Sequence, residues 1–285
     1  VKHYDIKIIC KLVSITDLEN LNDIFNEHKP QQVFHAAAYK HVSLVEKNPI
    51  ESIKNNVIGT LNIVDCAINY NVSRFLFIST DKAVKPTTIM GKTKRLGEKI
   101  IKEKVNDKKC NTIFSIVRFG NVLGSSGSVI PLFIEQIESG GPITLTHKDI
   151  KRYFMTIEDA VSLVLEASQF AKGGEIYLLD MGKSIKIYDI ALKLINLSGL
   201  TLKDRNNSHG DIEIKITGLD PIEKLDEELI IAGSTKKTIN PSIFEVDADI
   251  SIQENFFTKI NDIKSSLVLE NKKHVLNLLN SLNLN

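Results

Sequence analysis

The chain has 285 residues, which suits one large α/β domain or a domain with an additional lobe. Its 36 basic and 35 acidic side chains give a net charge of +1, whereas nucleic-acid-binding proteins usually carry a basic excess on one face. We therefore expect no nucleic-acid partner. No apolar run reaches the roughly 20 residues that span a bilayer. The three scattered cysteines lack metal-ligand spacing, so we predict neither a membrane segment nor a metal site.

Short apolar strands and amphipathic helices alternate along most of the chain. The predicted strands are 6–13, 33–38, 75–78, 112–119 and 175–181. The predicted helices are 18–28, 49–70, one capped at 87–88 that runs to about 106, 132–138, 157–170, 187–197, and those of a tail from about 254. We expect the tail to pack on a second lobe. Because the alternation uses short loops, it predicts a parallel sheet with right-handed crossovers.

One short stretch carries the strongest chemical signal: an apolar run, 75–78, is followed at once by the polar residues 79–82. The run is too short for a helix and suits a strand buried on both faces. The carboxyl ends of the strands form the ligand crevice of a doubly wound sheet, so these polar side chains are expected to face a bound molecule. Met90 and Lys94 stand four residues apart on the next helix and share one face. Taken singly, Asp81 could equally be a turn residue and Lys94 a solvated helix lysine.

Thr80-Asp81-Lys82, followed by a helix that carries Met90-x-x-x-Lys94, resembles the signature of the extended short-chain dehydrogenases. Within them, the chain is most similar to the nucleotide-sugar 4,6-dehydratases of bacterial polysaccharide and glycan biosynthesis. Met90 stands where most members carry a tyrosine. This exchange is typical of the UDP-N-acetylglucosamine 4,6-dehydratase branch, whose full-length members carry membrane helices upstream. The resemblance covers most of the chain and implies a cytoplasmic enzyme, at the inner face of the bacterial inner membrane in a full-length form.

The resemblance also implies the architecture: a doubly wound, Rossmann-like parallel sheet whose first βα unit is missing, with a smaller α/β substrate lobe. Residues 1–128 and 153–182 are expected to form the NAD-binding domain. Residues 129–152 and 183–249 are expected to form the substrate lobe, and 250–285 a helical tail. A homo-oligomer is implied as well.

Individual residues take their roles from the same resemblance. Those implied to take part in catalysis are Thr80, Asp81, Lys82, Met90 and Lys94. Those implied to contact NAD, or alternatively NADP, are His35, Ala36, Ala37, Ala38 and Lys94. Those implied to bind the UDP-sugar are Lys40, His41, Asn121, Val129, Thr144 and Arg152.

The implied reaction oxidises the sugar at C4, eliminates water across C5 and C6, and returns the hydride to C6. Asp81 would protonate the departing hydroxyl and Lys82 would remove the C5 proton. A lysine base requires a lowered pKa, which we expect for Lys82 from desolvation or from Lys94 as a nearby cation. Met90 has no ionisable proton, so Thr80, Asp81 or a water must relay the C4 hydroxyl proton.

Two departures from the family pattern concern cofactor and substrate binding. The first glycine of the chain is Gly59, so the family's Gly-x-x-Gly-x-x-Gly turn, which holds the cofactor pyrophosphate, is absent. We therefore expect an N-terminally truncated enzyme that binds NAD weakly by itself. Asp220 replaces an arginine that faces the diphosphate in the family. Both departures favour an alternative, a truncated non-catalytic protein that binds a nucleotide-sugar or a partner subunit. An epimerase or reductase of the superfamily is a third hypothesis.

Overall fold

The structure is a computed structural model that describes residues 6–106, 110–219, 223–227, 235–247, 254–282 and 284. Its α-helices are α1 (Leu18–His28), α2 (Val42–Lys47), α3 (Pro49–Ile53), α4 (Thr60–Asn69), α5 (Ile89–Val105), α6 (Val129–Glu138), α7 (Ile157–Phe170), α8 (Ile187–Leu197), α9 (Phe256–Val268) and α10 (Lys272–Ser281). Its strands are β1 (Gln32–His35), β2 (Arg74–Thr80), β3 (Ile113–Phe119), β4 (Asn121–Val122), β5 (Ile143–Leu145), β6 (Lys151–Arg152), β7 (Phe154–Met155), β8 (Glu175–Leu179), β9 (Ile185–Lys186), β10 (Leu202–Lys203), β11 (Ile212–Ile216), β12 (Thr235–Lys237) and β13 (Ile243–Val246). None of the helices among these residues is long and apolar enough to cross a membrane.

A six-stranded sheet in the order β1-β2-β3-β8-β13-β12 forms the centre of the molecule. The first four strands are parallel, while β13 runs antiparallel to β8 and β12 antiparallel to β13. This mostly parallel sheet confirms the predicted fold class. The last two strands depart from the prediction, however, because the range 183–249 was assigned to the substrate lobe. β13 joins the sheet by pairing with β8, a partner distant in sequence that composition does not reveal, and β12 follows by pairing with β13.

The side chains of β2 alternate between two apolar layers, as expected for a strand covered on both faces. Phe75 and Phe77 join α1, α4 and α5 in one cluster, and Leu76 joins α7 in the other. A third cluster lies between α6, α8 and a three-stranded sheet in the order β10-β11-β5. This third cluster is the core of the smaller lobe.

The helical tail packs on the central domain, and our expectation that it packs on the lobe was wrong. Phe256 and Ile260 of α9 and Val275 of α10 belong to the same buried cluster as Ile53 and Val57. Helical spacing predicts that a helix has an apolar stripe. The stripe does not specify which of two apolar surfaces will bury it.

Residues 6–13 form no strand, which corrects another expectation. The segment lies exposed, with Ile6 at 72% and Ile8 at 82% of full exposure, and β1 has β2 as its sheet neighbour. A strand needs a neighbour for its backbone N–H and C=O groups. No strand of the described residues lies beside this segment, so β-branched residues alone do not make it one.

The predicted helix 49–70 is helical throughout but contains a π-helical turn, Lys54–Gly59, between α3 and α4. Asn56 in this turn is buried, and its amide accepts from Tyr39 N at 2.8 Å and donates to Tyr39 O at 3.0 Å. The same amide donates to Thr93 Oγ1 at 3.0 Å. It therefore fastens the loop after β1 to helix α5, which positions two sides of the candidate site.

Candidate active site

The site begins where β2 ends at Thr80 and the chain makes a single 3₁₀ turn over Asp81–Ala83. The Thr80 hydroxyl donates to Asp81 Oδ1 at 2.7 Å and accepts from Lys82 N at 3.4 Å, so it holds the turn in place. Helix α5 starts directly against this turn. A Cβ atom at Gly91 would collide with the carbonyl oxygen of Lys82, so the close approach requires a glycine.

The first turn of α5 is capped on two sides. Thr88 accepts from Gly91 N at 3.0 Å, as the sequence predicted, and Glu46 from α2 accepts from Ile89 N at 2.6 Å. The helix then buries Met90 and Lys94 on the face that looks towards the end of β2. The predicted spacing of these two residues therefore brings both to one cavity.

Two adjoining cavities of about 560 and 460 Å³ lie at the carboxyl ends of the strands. The residues lining both are His41, Val42, Lys82, Gly127 and Glu223. The larger cavity brings together most of the predicted site residues, namely Ala36, Ala38, Lys40, His41, Thr80, Lys82, Met90, Lys94, Asn121 and Val129. Arg152 lines the smaller cavity.

Four predicted residues line neither cavity, namely His35, Ala37, Asp81 and Thr144. Asp81 is 2% exposed and lies directly behind Thr80 and Lys82. Thr144 instead exchanges two hydrogen bonds with Gln136, at 2.7 and 3.0 Å, while Thr146, two residues further on, lines the smaller cavity. Residue 220, where an aspartate replaces the family's diphosphate-facing arginine, lies outside the described residues.

Lys82 is held by two carboxylates. Its Nζ lies 3.0 Å from Asp81 Oδ1, 3.5 Å from Glu227 Oε1 and 3.4 Å from Asn121 Oδ1. Burial by itself would lower the pKa of Lys82, but the two carboxylates outweigh burial and raise this pKa above its ordinary value; Arg152 opposes them. Our expectation of a lowered pKa for Lys82 was therefore wrong for this arrangement.

Lys94 has the opposite surroundings. Its Nζ lies 4.0 Å from the centre of the Phe77 ring, and it forms no hydrogen bond or ion pair with any residue that the structure describes. Burial lowers the pKa of Lys94 to about 7, with Glu98 opposing the shift in part. Near neutral pH, this side chain is thus poised between its charged and neutral forms.

His35 is turned into the core beneath the site. Its Nε2 lies 2.9 Å from the Thr60 hydroxyl, which donates its own hydrogen to Asn56 O at 2.7 Å, so Nε2 carries the proton. The other ring nitrogen, Nδ1, has no hydrogen-bond partner among the described residues. Burial, together with the charge of Lys94, lowers the pKa of His35 to about 3, so the ring is neutral.

A buried ion cluster supports the site from behind. Arg118 of β3 forms two hydrogen bonds with Glu98 of α5, at 2.7 and 2.6 Å, and Ser79 of β2 donates to the same carboxylate at 2.7 Å. Burial raises the pKa of Glu98, but Arg118, Arg95 and Ser79 outweigh burial and lower it. The cluster locks α5 to β2 and β3 and so fixes the position of Lys94, one turn away.

Two glutamates at the site were not predicted. Glu223 Oε1 lies 3.3 Å from Arg152 Nη2, and Glu227 Oε1 lies 3.8 Å from Arg152 Nε. Glu227 belongs to a run of three acidic residues, 226–228, a pattern that normally indicates a solvated surface. The one sequence signal that could have found the pair is the four-residue spacing between them.

The chain matches the family described as polysaccharide biosynthesis protein over residues 1–248. It is 51% identical over 230 residues to the capsular polysaccharide biosynthesis protein CapD of Staphylococcus aureus, covering 80% of this chain and 36% of that one. It is 38% identical over 200 residues to the UDP-glucose 4-epimerase of Rickettsia rickettsii, covering 69% of this chain and 59% of the epimerase. The chain thus spans only about a third of CapD.

Two solved structures have the same architecture. One is Pen from Bacillus thuringiensis, with a TM-score of 0.73 and 33% identity over 86% of this chain and 72% of Pen. The other is DesIV from Streptomyces venezuelae, a dTDP-glucose 4,6-dehydratase solved with NAD, with a TM-score of 0.66 and 19% identity over 76% of this chain and 69% of DesIV. The second likeness concerns the fold alone. The chain belongs to the polysaccharide biosynthesis protein family and has the extended short-chain dehydrogenase architecture.

Proposed function

We propose that the chain carries the active site of an NAD-dependent 4,6-dehydratase that converts a UDP-N-acetylhexosamine to a 4-keto-6-deoxy sugar for surface polysaccharide or glycan synthesis. The observation that carries this proposal is the hydrogen-bonded pair of Asp81 and Lys82, 3.0 Å apart, beside Met90 at the end of β2. Dehydration needs an acid and a base at adjacent carbons, and this pair supplies both. Assembly into a homo-oligomer stays a prediction.

The pair can supply both functions with a single proton. The ammonium of Lys82 transfers a proton to Asp81, which gives a neutral amine next to a carboxylic acid without any change in net charge. The amine of Lys82 then takes the proton from C5, and the bond between C6 and oxygen breaks. The C6 hydroxyl leaves as water with a proton from Asp81, which passes through the Thr80 hydroxyl because Thr80 lines the cavity and Asp81 lies behind it. The raised pKa of Lys82 opposes this first transfer, so a lower Lys82 pKa in the complex with the sugar would favour the step.

The described residues fit one end of the proposed cofactor. Ala36 and Ala38 leave room for a flat ring against the backbone after β1, and Lys94 lines the same cavity. These residues would hold the nicotinamide and its ribose. NAD, when bound, would accept a hydride from C4 of the sugar and return it at C6.

A 4-epimerase is the second candidate, favoured by the similarity to the epimerase of Rickettsia rickettsii. Epimerisation also oxidises C4, but it has no step at C5 or C6 and does not require an acid beside a base. Asp81 and Lys82 would then have structural roles. Because Met90 has no ionisable proton, another group must take the proton of the C4 hydroxyl in either reaction.

The test is product analysis with UDP-N-acetylglucosamine and millimolar NAD in deuterated water, using the longest natural polypeptide that contains these residues. A dehydratase gives a product that has lost one water and has gained deuterium at C5. An epimerase gives an isomer of unchanged mass without deuterium at C5. The second result, or no reaction, would contradict the proposal.

A further inference from the structure

Glu227 lies between the two cations of the site. Its Oε1 atom is 3.5 Å from Lys82 Nζ and 3.8 Å from Arg152 Nε, and its side chain is only 7% exposed. A carboxylate that is this buried and shared by two cations is neither a surface charge nor a simple ion-pair partner. It connects the lysine of the proposed chemistry to the arginine of the second cavity.

Each of the three guanidinium nitrogens of Arg152 has a protein partner, and most of these partners lie in residues 223–227. Nη1 donates to Lys151 O at 2.7 Å and to Leu225 O at 3.2 Å, and Nη2 donates to Glu223 at 3.3 Å. Nε faces Glu227. Because a guanidinium fork suits phosphate and carboxylate oxygens alike, a diphosphate and these glutamates compete for the same donors.

We propose that Glu227 is a positioning residue of this site, which competes with the diphosphate of the nucleotide-sugar for Arg152. When the diphosphate arrives, Lys82 therefore loses its contact with the Glu227 carboxylate. The proposal rests on the proposed function, because it takes the ligand to be a nucleoside diphosphate. A diphosphate at Arg152 displaces the Glu227 carboxylate. Lys82 then keeps Asp81 as its carboxylate partner and loses the second.

The consequence for Lys82 follows from the groups that face it. Asp81 and Glu227 raise its pKa and Arg152 lowers it. Asn121 is its neutral partner, and Glu223 and Lys94 line the same cavity. Removing Glu227 therefore lowers the pKa of Lys82, which favours the neutral amine that a base must provide.

Calorimetric titration of the 285-residue chain with UDP tests the competition directly. Glu227→Gln keeps the shape of the side chain and removes its charge, so we expect it to bind UDP roughly tenfold more tightly than the wild type. The matched control is Asp226→Asn, which removes the same charge from an exposed neighbour. We expect its affinity to stay within about twofold of the wild type.

A second measurement counts the protons that are released when UDP binds. At pH 9 the phosphates of UDP are fully ionised, since the second phosphate pKa is about 6, and Lys94, with its pKa of about 7, is already neutral. Titrations in buffers of different ionisation enthalpy then report the net number of protons that binding releases, and the difference between the wild type and Glu227→Gln isolates the part that depends on Glu227. We expect UDP to release protons from the wild type and fewer from Glu227→Gln.

Glu223→Gln tests whether the effect requires a carboxylate that contacts both Arg152 and Lys82, or only the removal of a negative charge near Arg152. Glu223 contacts Arg152, but among the described residues it forms no ion pair with Lys82. This variant should gain affinity for UDP while it releases as many protons as the wild type. Three results would overturn the proposal. The first is that Glu227→Gln binds UDP no more tightly than the wild type. The others are that Asp226→Asn gains as much affinity as Glu227→Gln, or that no variant binds UDP. UDP binding as expected without a dehydrated product would contradict the proposed function alone.

Discussion

Two lysines face the same cavity in opposite environments. Lys82 lies among carboxylates, within 3.5 Å of Asp81 and Glu227. Lys94 lies against the face of the Phe77 ring, 4.0 Å from its centre. The pKa of Lys82 is raised, and that of Lys94 is lowered to about 7.

Burial acts in the same direction on both lysines, and it is the largest influence on each. The difference comes from the carboxylates alone. Two nearby negative charges reverse the effect of burial at Lys82, whereas Glu98 only reduces it at Lys94 because Arg118 and Arg95 already pair with that glutamate. The site thus contains one lysine that stays charged at neutral pH and one that titrates there.

The largest expected effect is on turnover, and it comes from changes at Lys82, the lysine that stays charged, and at its partner Asp81. Lys82→Ala or Asp81→Asn removes one member of the acid and base pair, so formation of the 4-keto-6-deoxy sugar should fall by roughly 10²–10⁴. Lys82→Ala should also stop deuterium from entering at C5. Lys47→Ala, at an exposed lysine of α2, is the control. Retained dehydration in both variants would remove this pair from the mechanism.

The next largest effect is expected on the free energy of unfolding. Replacing Lys94 by methionine should raise it at pH 6, and replacing Lys82 should lower it. The folded-state pKa of Lys94 lies below the unfolded value of 10.5, so the unfolded chain binds more protons between pH 7 and 10.5. Lys94 therefore destabilises the fold most below pH 7, by as much as roughly 5 kcal/mol. Lys94→Met should stabilise the protein at pH 6, and this gain should disappear towards pH 10.5.

Lys82→Met should instead destabilise the protein at pH 6, since it leaves Asp81 and Glu227 without their cation. The stability that Lys82 contributes is present below its unfolded pKa and is lost as pH rises through its raised folded pKa. Urea unfolding of both variants at pH 6 and pH 9.5 measures the two signs. The same sign for both would show that the contrast between the lysines is wrong.

A smaller effect is expected at two glycines of α5, one beside each lysine. A Cβ atom at Gly91 would press on the Lys82 carbonyl oxygen, and one at Gly97 would lie 2.6 Å from Phe77 Cζ, beneath Lys94. Each change to alanine should destabilise the fold by roughly 1–3 kcal/mol. Gly91→Ala should reduce dehydration more than Gly97→Ala does, because it shifts the turn that carries Asp81. Thermal unfolding and turnover of both variants test this, and a larger loss of turnover in Gly97→Ala would contradict it.

The smallest effect is expected at Met90, which lines the same cavity as the two lysines and is 4% exposed. Leucine has nearly the same volume, so Met90→Leu should cost less than about 1.5 kcal/mol of stability and keep most of the turnover. Measured kcat with UDP-N-acetylglucosamine checks this. A collapse of kcat with normal substrate binding would show that the thioether does more than fill space.

The sequence by itself determined the local structure and the list of chemical groups. Helices α7 and α8 have the predicted bounds, 157–170 and 187–197. The predicted strand 75–78 lies within β2. Met90 and Lys94 line one cavity, as their four-residue spacing predicts. These features follow from periodicity, capping and strand ends, which depend on neighbouring residues and can therefore be recognised in a single sequence.

Tertiary structure decided the electrostatics and the choice of partners. Glu227 reaches Lys82 from a distant part of the chain and adds to the effect of Asp81, and the two carboxylates together reverse the predicted direction of the Lys82 pKa. The tail helices and β13 likewise pack on surfaces that their own patterns did not specify. A residue's spacing fixes the face of the element on which it lies. The charges opposite that face come from other elements, and charge interactions in a buried site depend on distances that only the folded chain sets.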